Sequence, residues 1–105
     1  MAQFDVFENP SPAQRGGFPY VVALQSDHLT HYTTRFVMPL ARLEQLPKST
    51  PRKLASVVTV AGETLHLAAH LCAPLPSKLL RKSVATLRHD ASVLRDALDA
   101  VVSGV

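Results

Sequence analysis

The 105-residue chain has a single cysteine, Cys72, so no disulfide framework can form within it. A reducing compartment, the cytoplasm, is the environment expected for such a chain. It has no apolar stretch near the roughly 20 residues that a membrane span needs. The opening Met-Ala-Gln-Phe-Asp lacks the basic start and apolar segment of a secretory leader. Charge is also sparse, at 18% of residues, which is too little for a disordered tail. The net charge is +3, which suits an acidic partner. Lys and Arg are scattered, with no basic run and no interleaved aromatics, and that argues against direct nucleic-acid readout. Gly16-Gly17 precedes no helical pattern, so a phosphate-cradling loop is excluded. Repeats and low-complexity stretches are absent.

Hydrophobic residues make up 47% of the chain, enough for one core and one domain over residues 1–105. Gln3 to Glu8 alternates, with Phe4 and Val6 on one face and Asp5 and Phe7 on the other, and reads as a strand. A loop rich in Pro and Gly follows, from Asn9 to Pro19. Tyr20 to Leu24 is a short apolar run, the pattern of a strand covered on both faces. Arg35 to Pro39 reads as a strand that stops where proline removes a ladder donor. Leu40 to Ser56 reads as a loop with apolar anchors at Leu40, Leu43 and Leu46. Ser56 to Ala61 and Thr64 to Leu71 form an expected hairpin around Gly62-Glu63, and Pro74 and Pro76 keep the next stretch extended.

The last segment changes period. Leu87, Ala91, Leu94, Leu98 and Val101 recur at helical spacing, with Arg88, Ser92, Arg95 and Asp99 elsewhere on the wheel. Asp90 stands where an N-cap is wanted, and Gly104 lies just past the end. Strands followed by one terminal helix predict a mainly β fold: a small barrel or curled antiparallel sheet with one C-terminal α-helix across it.

The residues offer little catalytic chemistry. His66 and His70 are a candidate metal pair, but on a strand they stand about 13 Å apart and no third ligand completes a set. Solvent-facing strand histidines are the simpler expectation. Ser26, Asp27 and His28 are neighbours in sequence with no Gly-x-Ser-x-Gly elbow, so turn hydrogen bonding accounts for them better than a triad. Cys72, flanked by Leu71 and Ala73, reads as a small core residue. Acidic residues occur singly. A binding protein, with no metal or other cofactor, is expected rather than an enzyme. The C-terminus is unusual in staying apolar through Val101-Val102-Ser103-Gly104-Val105, where ordinary ends are polar.

The order of these pieces resembles the CcdB toxin family, the gyrase-poisoning half of toxin–antitoxin pairs. The matching stretches are Gln3-Phe4-Asp5-Val6, Leu24-Gln25-Ser26-Asp27 and Arg35-Phe36-Val37-Met38-Pro39-Leu40. Val57-Val58, Gly62-Glu63, Pro74, Pro76, Val84-Ala85, Leu87, His89 and the terminal Gly104-Val105 complete them. The resemblance implies an SH3-like barrel, a homodimer, and insertion into the dimerisation domain of the DNA gyrase A subunit. It also implies that the cut, covalently held DNA state is trapped, so that replication and transcription stall. The gyrase-binding residues it implies are Ser103, Gly104 and Val105, with Val102, Ser92, His28 and Leu29 beside them. A cognate CcdA-like antitoxin with an acidic disordered segment would compete for this surface. DNA would be met only indirectly, through gyrase or through a repressing antitoxin complex.

The chain departs from the best-known members in carrying Ser103 where they carry Trp, an anchor worth roughly 2–4 kcal/mol at an interface. The Asn9–Pro19 loop differs from theirs as well. A non-toxic relative that binds only the antitoxin, as decoy or co-repressor, is the alternative that Ser103 raises.

Overall fold

The computed structural model describes residues 3–25, 33–45 and 56–103. The strands are β1 (Asp5–Glu8), β2 (Tyr20–Ala23), β3 (Thr34–Arg42), β4 (Val57–Val60), β5 (Glu63–Leu67), β6 (Ala73–Pro76) and β7 (Ser83–Thr86). Helix α1 (Ala91–Ser103) closes the described chain, and short 3-10 turns link several strands. Among the described residues the strands form one antiparallel sheet in the order β4-β5-β3-β2-β1-β7, with β6 also on β3. It is the curled half-barrel with one C-terminal helix that the sequence pattern predicts.

The central strand β3 makes the curl possible. One edge takes β2, from Tyr20↔Leu40 to Ala23↔Val37. The other edge takes β5 at Leu40–Arg42 and β6 at Thr34–Val37. The hand-over falls at Pro39, and this corrects the expectation that the strand ends there. Leu24 N–H donates to the Phe36 carbonyl at 2.9 Å, so residues 36, 38 and 40 turn their backbone groups toward β2. The nitrogen of Pro39 therefore faces the opposite edge, between β5 and β6, where no strand asks it for a proton. On that edge its carbonyl accepts the Ala68 N–H at 3.0 Å. Proline costs the ladder nothing at this position.

Both faces of the sheet are covered, as the continuous apolar run in β2 predicts. Beneath α1 lies the main core, with Val6, Val22, Met38, Leu40, Leu65, Leu67 and Leu94 essentially inaccessible. On the other face Phe7, Val21, Ala23 and Val37 pack with Leu80 and Leu75. The homodimer expected through β2 and β3 would have to use what these strands leave open, chiefly Phe36 at 39% exposure.

The hairpin closes one residue earlier than Gly62-Glu63. Val60 pairs with Glu63, which leaves Ala61 (φ 51°) and Gly62 (φ 80°) as a two-residue turn of left-handed residues. Its second strand ends at Leu67, and residues 69–71 form a 3-10 turn instead of more strand. The segment from Leu40 to Ser56 is not all loop, since β3 runs to Arg42 and a 3-10 turn covers Leu43–Gln45. Leu46 lies outside the described residues. Arg42 ties the long loop down: its backbone N–H donates to Gly17 O and its Nε to Gly16 O, both at 2.9 Å, while Nη1 meets Glu63.

Candidate functional site

The site expected from the sequence is the exposed face and end of α1. The helix forms because its apolar residues fall on one stripe: Leu94 and Ala97 are buried, and Leu98 and Val101 pack against the core. Asp90 immediately precedes the first helical residue, and its Oδ2 lies 3.5 Å from His89 Nε2. The helix is fixed at its start by Leu87, whose N–H donates to Phe4 O at 2.9 Å and whose side chain is buried.

Phe4 is an unusual anchor. Its φ of 70° is rare for a bulky residue, and it holds two backbone hydrogen bonds at once. It donates to Ala23 O at 2.7 Å and accepts from Leu87, so one left-handed residue joins β2 to the approach to α1. Its ring is buried under the helix, with the guanidinium of Arg95 above it.

The opposite arc of α1 faces solvent. Ser92, Arg95, Asp96, Asp99 and Val102 are all exposed. Val102 is the extreme case at 79%, an apolar side chain with almost no cover. Ser92 and Val102 thus share one exposed arc, about 15 Å apart along the axis at the helical rise. The backbone of Ser103 is the last helical position. His28, Leu29, Gly104, Val105 and the Ser103 side chain lie outside the described residues, as does the Ser26-Asp27-His28 stretch. Ser92 and Val102 are therefore the site residues that the fold places together. Arg95, Asp96 and Asp99 flank them on the same exposed side of the helix.

The histidines are corrected. His66 is not solvent-facing but buried at 4% exposure, paired in register with Ala41 and Val57, and its Nδ1 meets no hydrogen-bond partner among the described residues. Burial first, and then the nearby His70, hold its pKa below the usual 6.5. His70 is exposed in the 3-10 turn, not in strand alternation with His66. Among the described residues no group of three or more His, Cys, Asp or Glu is placed to hold a metal ion. Cys72 is half-buried, and its burial pushes the thiol pKa up to about 11, the reverse of a reactive nucleophile. No described helix is long and apolar enough to cross a membrane.

The described residues thus form a small curled β-sheet capped by a C-terminal helix, with an apolar residue, Val102, bared near the helix end. The chain matches the family model of the CcdB protein over residues 3–104, nearly its whole length, and it belongs to that family. By kind it is thus the toxin of a toxin–antitoxin pair. Comparison with curated protein sequences gives no match.

Proposed function

We propose that this toxin poisons DNA gyrase through the end of α1. Membership of the CcdB family over residues 3–104 carries the reading, and Val102, 79% exposed at the end of α1, supports it as an apolar side chain open to a partner at the place the resemblance implicates. Ser92 lies on the same arc, and His28, Leu29, Ser103, Gly104 and Val105 would complete the contact. The protein works by binding, catalyses no reaction and needs no cofactor. As a homodimer it enters the gyrase A subunit's dimerisation domain and holds the enzyme on cleaved DNA, so that religation fails. A cognate antitoxin neutralises it in the cytoplasm, and the pair represses transcription and maintains the DNA element that encodes it.

The test is a cleavage assay with purified protein, gyrase, ATP and supercoiled plasmid, stopped with detergent and protease. Linear DNA should rise with protein concentration and vanish when Ser103-Gly104-Val105 is deleted. A deletion variant that still linearises plasmid would refute the reading. Ser103 favours a second reading, in which the chain binds its antitoxin but has lost its grip on gyrase. Folded protein that yields no linear product, yet captures the antitoxin, would establish that reading instead.

A further inference from the structure

In the proposed function two separate stretches meet gyrase: the segment after β2, with His28 and Leu29, and helix α1, with Ser92 and Val102. Among the described strands these stretches have no direct pairing. β2 lies between β1 and β3, and α1 follows β7, which pairs with β1. Only β1 stands between them, and Phe4 is the residue just before it.

In a regular antiparallel strand the N–H and C=O of one residue point to the same edge. Phe4 departs from this. With φ at 70° its N–H donates to Ala23 O on the β2 side, while its C=O accepts from Leu87 N–H on the β7 side. Toward β7 the bond keeps the register set by Asp5 opposite Thr86. Toward β2 it does not: Val6 opposite Val22 would continue to Phe4 opposite Leu24, yet the bond goes to Ala23. The Leu24 carbonyl accepts instead from Gln3 Nε2 at 3.0 Å. On its other side the same stretch is held by Phe36, whose C=O accepts from Leu24 N–H and whose N–H donates to Gln25 Oε1 at 3.1 Å. The chain is thus clamped from both sides up to Gln25, the last described residue before His28.

A bulky residue in left-handed backbone is strained, and such strain persists only where the surroundings over-determine it. We propose that Phe4 is a positioning residue for the gyrase contact. Its left-handed backbone fixes α1 against the segment after β2, so that the two halves of the contact arrive as one surface. The buried ring, under the Arg95 guanidinium, ties the same residue to the helix a second time. The functional part of this inference rests on the gyrase reading; the geometric part can be tested without gyrase.

Two substitutions separate the backbone from the ring. Phe4→Ile stays apolar, but its β-branch resists left-handed backbone, whereas Phe4→Leu is unbranched at Cβ. Residual dipolar couplings of the isotope-labelled full chain report the orientation of α1 relative to β1, β2 and β3. In Phe4→Leu they should fit the parent orientation, and in Phe4→Ile those of α1 should depart from it. Affinity for the gyrase A subunit should fall about tenfold or more in Phe4→Ile, as when under about a tenth of the molecules hold the binding geometry, and stay within about threefold in Phe4→Leu. Val60→Ala, a buried truncation in β4 at the opposite edge of the sheet, lowers stability without touching Phe4 and should leave affinity at the parent value. Unchanged α1 couplings in Phe4→Ile, or a loss of affinity in Val60→Ala as large as in Phe4→Ile, would overturn the proposal. Should Phe4→Ile not fold, Phe4→Leu decides: parent couplings support the proposal, and altered ones show that ring volume sets the angle and overturn it. A parent chain that neither binds gyrase nor linearises plasmid sinks the gyrase reading, while the couplings still decide whether Phe4 sets the helix.

Discussion

The guanidinium carbon of Arg95 lies 5.6 Å from the ring centroid of Phe4, an exposed cation over a buried aromatic face. The contact joins α1 to the residue that joins β1, β2 and the approach to α1. Arg95→Ala should cost about 0.5–1 kcal/mol in urea unfolding, the worth of an exposed cation–π pair. Phe4→Ala removes the packing as well and should cost about 3–5 kcal/mol. Equal losses for the two variants would mean that the ring matters only as a seat for Arg95.

His66 makes stability depend on pH. Its folded pKa is depressed below 6.5 by burial and by His70, so the unfolded chain binds a proton that the folded chain resists. Stability is fully present above about pH 6.5 and falls as pH drops from there toward the lowered folded value. Thermal unfolding between pH 7.5 and 5 should show this decline. His66→Leu should flatten it, and should not lower the melting temperature at pH 7.5, because it removes a buried polar atom that lacks a partner.

The Ala61-Gly62 turn contains a correctable strain. Left-handed backbone costs an ordinary residue roughly 1–2 kcal/mol, and Asn tolerates it better. Ala61→Asn should therefore stabilise the protein by up to about 1 kcal/mol, while Gly62→Ala should destabilise it by about 1–2 kcal/mol. Denaturant midpoints decide both, and a loss on Ala61→Asn would show that the turn is held by something other than its own backbone.

A substitution at Val102 tests the proposed gyrase contact apart from folding. At 79% exposure its replacement by Glu removes almost no buried contact, so the melting temperature should stay within about 1 °C of the parent. In the gyrase assay the same variant should give no linear DNA at concentrations where the parent gives it. Retained cleavage would place the gyrase contact elsewhere.

Sequence alone determined what depends on local period. The stripe of Ala91, Leu94, Leu98 and Val101 specifies α1, though its first member in the sequence pattern, Leu87, lies ahead of the helix, and two-residue alternation specifies the faces of β1, because each pattern is satisfied by one backbone geometry. The apolar continuity of Tyr20–Leu24 was enough to show a strand buried on both sides. Tertiary structure decided what depends on neighbours from elsewhere in the chain. Pro39 is tolerated because two different strands meet opposite it, and His66 is buried because β4 and β3 flank it, neither of which alternation along β5 can report. The cations look scattered along the chain, yet folding brings Arg15 beside Arg81 and Lys82, since the β1–β7 pairing joins segments from opposite ends of the sequence. Of the candidate site, Ser92 and Val102 came from the family resemblance, and one helix carries both on its exposed side. What the sheet places around them is set by contacts between distant segments, which no local pattern encodes.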